Sequence, residues 1–198
     1  ISRAACRVGF GLWLMLAPAC AADAPARSPA EIMDILMWNR EPVGGQFELT
    51  DHTGHVRTDR DFRGRLMLVY FGFTYCPDVC PTALFEMSEI LRVLGPEAAR
   101  INAVFITIDP ERDTPAVIKD YLSSFDPHLV GLTGDPAAIA AVAKAYRVYS
   151  KKVPLDQGGY TMDHTAIVYL MDKSGRFVSP FSLKRTTDTA AADLRRYL

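Results

Sequence analysis

The stretch Leu66-Met67-Leu68-Val69-Tyr70-Phe71-Gly72-Phe73-Thr74-Tyr75-Cys76-Pro77-Asp78-Val79-Cys80-Pro81 decides how this chain folds. Its first eight residues are continuously apolar, as in a strand buried on both faces. Beyond it, Leu84, Met87, Ile90, Leu91 and Leu94 recur with the helical period until Gly95-Pro96 stops them. Two cysteines therefore stand where a buried strand hands over to a helix. Strands of this kind end in crevices, and a helix N-terminus presents free N–H groups and the positive end of a dipole. A thiol there is expected to ionise more easily, and the thiolate is the form that attacks disulfides or binds metal. Pro81 suits the first helical turn but disfavours helical geometry at Cys80. Cys76 to Cys80 thus reads as a tight loop leading into a helix over Thr82 to Leu94. The plain alternative is a pair of small buried structural cysteines.

Outward from this junction, strands and helices alternate. Gln46 to Thr50 and His55 to Thr58 predict a hairpin across Asp51-His52-Thr53-Gly54. Ile101 to Ile108 is a second buried strand. Asp113 or Thr114, followed by Pro115, starts a helix reaching about Phe125, and Asp135-Pro136 starts another through Ala145. Val130 to Leu132 is a short strand between them. Ala166 to Met171 and Phe177-Val178 form a late hairpin around Lys173-Ser174-Gly175-Arg176, and Thr187 to Leu198 closes as a helix. This order predicts an α/β, thioredoxin-like sandwich with an additional N-terminal β-hairpin. Ser150 to Thr161, with Lys151-Lys152 and Gly158-Gly159, reads as a mobile loop near the site.

The 198 residues are 49% hydrophobic and 23% charged, enough for a sizeable core and too ordered in composition for wholesale disorder. Net charge is −1 and no long basic stretch appears, which argues against nucleic-acid binding. Residues 1–20 carry Arg3 and Arg7, an apolar run from Val8 to Ala19 and the small-x-small Ala17-Pro18-Ala19. They read as a signal peptide or membrane anchor. Cys20 follows Leu16-Ala17-Pro18-Ala19, loosely like a bacterial lipoprotein site with the leucine one residue too far away. Residues 21–43, Ala/Pro-rich at first, read as a tether with a helical turn or two at Ile32 to Trp38, and residues 44–198 as the folded domain. The expected location is the bacterial periplasm, with the domain held at the inner membrane by a lipid or an anchor.

An exported pair of thiols meets oxidants and soft metals. Thiol oxidoreductases of the thioredoxin type separate their cysteines by two residues; three residues here leave room for a metal ion between the sulfurs. Two thiolates bind Cu(I) or Zn(II) incompletely, so a third ligand is needed. His52, His55 and His128 fall in turns or loops and read as solvated surface groups. His164, in Met162-Asp163-His164-Thr165, directly precedes an apolar strand. In a thioredoxin-like fold the chain entering that strand passes beside the cysteine loop.

Three ordered motifs make the reading specific. Val69 to Pro81, then Thr107-Ile108-Asp109-Pro110-Glu111-Arg112-Asp113-Thr114-Pro115, then Asp163-His164-Thr165 resemble the Sco/SenC family over about Gly44 to the C-terminus. These are copper-binding, thioredoxin-like proteins that assist assembly of the binuclear copper (CuA) site of cytochrome c oxidase. The resemblance implies Cys76, Cys80 and His164 as ligands of one copper, Cu(I) or Cu(II), per domain. It also implies the copper-bearing oxidase subunit as partner, with another copper chaperone as a donor. Two function classes follow: a copper metallochaperone without turnover, or a thiol–disulfide oxidoreductase that reduces the acceptor's cysteines through the Cys76/Cys80 pair. Asp109 to Asp113 reads as a helix cap at Asp113 or Thr114, or else as a charged rim for a partner. Asp78 reads as a loop residue or partner contact, and Met162 as packing.

Overall fold

A computed structural model describes residues 42–198. The expected signal or anchor, the tether up to residue 41, and Cys6 and Cys20 lie outside the described residues. Within the described residues no helix is long and apolar enough to cross a membrane.

Strands β1 (Glu48–Asp51) and β2 (Val56–Thr58) form the first hairpin, followed by β3 (Leu66–Gly72), α1 (Val79–Leu94) and β4 (Ile101–Thr107). Next come α2 (Pro115–Leu122), β5 (Leu129–Thr133), α3 (Pro136–Ala145), β6 (Ser150–Pro154) and β7 (Tyr160–His164). Strands β8 (Val168–Met171) and β9 (Phe177–Phe181) and helix α4 (Thr187–Arg195) complete the chain. Among the described residues each expected helix and sheet strand is present, with ends displaced by a few residues; the helical turns expected at Ile32 to Trp38 lie outside them.

Seven strands lie in the order β2-β1-β5-β4-β3-β8-β9. Strands β3, β4 and β5 are mutually parallel, as crossover helices require, while β8 and β9 run antiparallel. The run β4-β3-β8-β9, with α1 packed beside α4, is the thioredoxin-like core. The early hairpin extends the sheet by pairing β1 with β5.

Strand β3 is buried on both faces along its whole length. Alternation along the strand divides its side chains. Tyr70 and Gly72 face α1, where the Tyr70 hydroxyl reaches the Cys80 sulfur. Phe71 faces the other way, into a ring cluster with Tyr146 and Tyr169. The helices that cover the sheet are started by the expected side chains. Thr114 Oγ1 accepts from the Val117 amide and Asp135 from the Ala138 amide, with proline at the first helical position of each.

Three expectations are corrected. Helix α1 begins at Val79, so Cys80 lies inside its first turn and not in a loop before it. Pro81 permits this because the first-turn amides have no helical acceptor to lose. Residues 150 to 161 are not an irregular loop: β6 and β7 form a separate two-stranded antiparallel hairpin, with Pro154 opposite Tyr160 and Ser150 opposite His164. Strand β8 begins at Val168, so His164 ends one strand and does not directly precede the next.

Candidate metal centre

The centre is assembled from three places: the end of β3, the first turn of α1 and the end of β7. Cys80 is wholly buried and Cys76 is 8% exposed, and both are free thiols. The Cys80 amide, one of the donors that a first helical turn leaves unused, points at the Cys76 sulfur 3.4 Å away. The Cys80 sulfur lies 3.6 Å from His164 Nε2 and 3.7 Å from the Tyr70 hydroxyl. Space for it exists because residue 72 is glycine: a β-carbon there would stand 2.9 Å from that sulfur and 2.9 Å from the Phe105 ring.

His164 is held in one orientation. Its Nδ1 lies 3.0 Å from the Thr165 carbonyl, an acceptor, so Nδ1 carries the proton and Nε2 keeps a lone pair directed at Cys80. Phe73 and Tyr70 meet the imidazole edge to face, with ring centroids 5.8 and 6.4 Å away. Burial lowers the His164 pKa from its ordinary value and favours the neutral ring. Burial also pushes the Cys80 thiol up to about 12. At Cys80 this runs against the expectation of an easily ionised thiol: desolvation outweighs the hydrogen bonds from the Phe73 backbone and the Tyr70 hydroxyl. A cation entering the pocket would have to displace that proton.

A cavity of about 230 Å³ opens beside the centre, lined by Phe73, Cys76, Met162, Asp163 and His164 among others. Met162 packs on the core as expected while its side chain borders this cavity. Among the described residues no group of three or more Cys, His, Asp or Glu side chains is placed to hold a metal ion. The Cys80 sulfur and His164 lie side by side, while the Cys76 sulfur sits against the Cys80 amide.

The remaining candidates lie apart. His52 accepts the Gly131 amide and ties the first hairpin to β5, which no local pattern announced. His55 bonds Thr53, and His128 pairs with Asp126 at the surface. Asp78 stands at the cap position of α1 without a capping hydrogen bond. Asp113 does not cap α2. It is buried and accepts from the Thr74 amide, the Thr74 hydroxyl and the Thr107 hydroxyl, which fastens the approach to the cysteines onto β4.

The SCO1/SenC family model matches residues 37–198. The chain belongs to the SCO1/SenC family. Among Sco structures, copper-bound ScoI of Bradyrhizobium japonicum is 64% identical with a TM-score of 0.77, covering 79% of this chain and 99% of that one. The human mitochondrial protein SCO1 homolog is 42% identical over 159 residues, which are 79% of this chain and 53% of the human protein. BsSco, a member of the Sco family of cytochrome c oxidase assembly proteins, is 20% identical with a TM-score of 0.62 over 79% of this chain and 95% of its own, a likeness of fold.

Proposed function

We propose that this chain binds one copper ion through the Cys76 and Cys80 thiolates and the His164 imidazole, and hands it to the copper-bearing subunit of cytochrome c oxidase. The observation that carries the reading is the 3.6 Å approach of Cys80 Sγ to His164 Nε2, with Nδ1 engaged elsewhere. Two soft sulfurs and one neutral imidazole suit Cu(I) and tolerate Cu(II). The copper-bound relative at 64% identity supports the metal, and membership of a family of oxidase assembly proteins supports the acceptor. Tyr75 and Val79, exposed apolar residues flanking the cysteines, offer a surface for that acceptor. Residues 1–20 support export to the periplasm and attachment at the inner membrane, beside a membrane-bound acceptor.

A thiol–disulfide oxidoreductase would use the same two sulfurs, and it needs no imidazole. In that reading Cys76, the less buried of the two, would attack and Cys80 would resolve the mixed disulfide. The two readings part at His164→Ala. That variant is expected to keep its fold and its capacity for a Cys76–Cys80 disulfide. It should lose copper faster than wild type, Cu(II) more than Cu(I), and impair oxidase maturation in a complemented strain. Normal oxidase maturation by His164→Ala, with thiol exchange intact, would favour the oxidoreductase.

A further inference from the structure

The β6–β7 hairpin that carries His164 belongs to no larger sheet. Strand β6 is exposed along its whole length, and a lone hairpin is marginally stable in water. The bonds at its root, between Tyr149 and Thr165, link its own two strands. Apart from the His164–Cys80 contact at the end of β7, the hairpin is held to the body by polar contacts with one short segment, residues 109 to 112. Arg112 Nη1 donates to the Tyr160 carbonyl at 2.8 Å, and the guanidinium carbon lies 3.8 Å from the Tyr160 ring centroid. The Tyr160 hydroxyl donates to Asp109 Oδ1 at 2.8 Å, while Asp109, itself buried, pairs with Arg112 Nε and closes the triangle. Lys152 pairs with Glu111 at 2.6 Å on the outer strand.

We propose that Arg112 is a positioning residue for copper: it clamps Tyr160 and thereby fixes the direction in which β7 presents His164 to the cysteines. The inference rests on the copper reading above. Tyr160 and His164 are four residues apart on one strand, so they share a face, with Met162 between them packed on the core. Fixing the carbonyl and the ring of Tyr160 fixes the roll of the strand, and a strand that rolls turns Nε2 away from Cys80. Only a planar guanidinium can bond a carboxylate, bond a carbonyl and stack on a ring at once. The charged segment Asp109 to Asp113 therefore faces inward onto the hairpin through Asp109 and Arg112, where its sequence suggests a helix cap or a partner-facing rim.

Amide exchange of the copper-free reduced protein and Cu(II) dissociation of the loaded protein test the clamp together, with circular dichroism and thermal unfolding to confirm the fold. Arg112→Lys, which keeps the charge and loses the fork, should speed exchange across residues 150–164 and Cu(II) release by about tenfold each. Its Cu(II) charge-transfer spectrum should move toward that of His164→Ala, while disulfide formation stays at the wild-type rate. Tyr160→Phe retains the ring and carbonyl contacts and should change both readouts in the same direction by less. Wild-type exchange in Arg112→Lys overturns the clamp; fast exchange with an unaltered Cu(II) spectrum and release overturns its role in presenting His164. Failure of the copper reading appears separately, as an unaltered spectrum in His164→Ala, and exchange in the copper-free protein still decides whether Arg112 holds the hairpin.

Discussion

The Asp51 side chain gathers the turn of the first hairpin. Its carboxylate accepts from the Thr53 amide and hydroxyl, the His55 amide and Arg57 Nε, and the residue is 1% exposed. Burial opposes the charge, but these donors outweigh it and hold the carboxyl well below the ordinary aspartate range. A carboxylate whose pKa is lower in the folded state stabilises the fold above its unfolded value, near pH 4, and loses that contribution as pH falls toward the folded one. Asp51→Asn is therefore expected to cost about 2 kcal/mol at pH 7, with the gap to wild type narrowing below about pH 4, in urea unfolding followed across pH. Asp113 shows the opposite balance: burial raises its pKa despite three donors. The sequence marked Asp51 as a turn residue and Asp113 as a cap or part of a charged rim, because a side chain's long-range partners leave no local pattern.

At the scale of elements, the amphipathic helices and buried strands were legible from periodicity and caps, and the β6–β7 hairpin was not. Strand β6, Ser150–Pro154, is exposed throughout, and β7, Tyr160–His164, alternates Tyr160, Met162 and His164 with Thr161 and Asp163 over too few residues to mark a strand. The glycines at 158 and 159, both at positive φ, mark a turn between two strands as well as they mark a loose loop. The start of α2 separates a local role from a tertiary one. Thr114→Ala removes a cap and should cost about 1 kcal/mol. Asp113→Ala leaves an amide and two hydroxyls near the cysteines without their acceptor, and should cost about 2–4 kcal/mol. Equal losses for the two variants, measured by chemical denaturation, would contradict this division.

Across the whole molecule, residues 84 positions apart in sequence come to 3.6 Å, because the separate β6–β7 hairpin delivers the chain past the cysteine turn on its way into β8, which pairs with β3. Cys76 and Cys80 are the cysteines of the described residues, and the His164 imidazole lies against the Cys80 sulfur. We expect native mass spectrometry to find one copper per reduced domain and none on the Cys76–Cys80 disulfide form, whose sulfurs are consumed. Two tightly held ions per domain, or full loading of the disulfide form, would refute the ligand set.

The sequence by itself determined the family, the layered α/β order and the two cysteines at a strand–helix junction. Those properties rest on periodicity, caps and motif spacing, which act over a few residues. It also singled out His164, through resemblance and place in the chain. Only the tertiary structure decided that Cys80 lies inside a helix and is wholly desolvated, that His164 ends a separate hairpin with Nε2 turned inward, and that Arg112 holds that hairpin. Each of these depends on groups tens of residues apart meeting in a dry or half-dry setting, where burial and geometry set proton affinity and orientation.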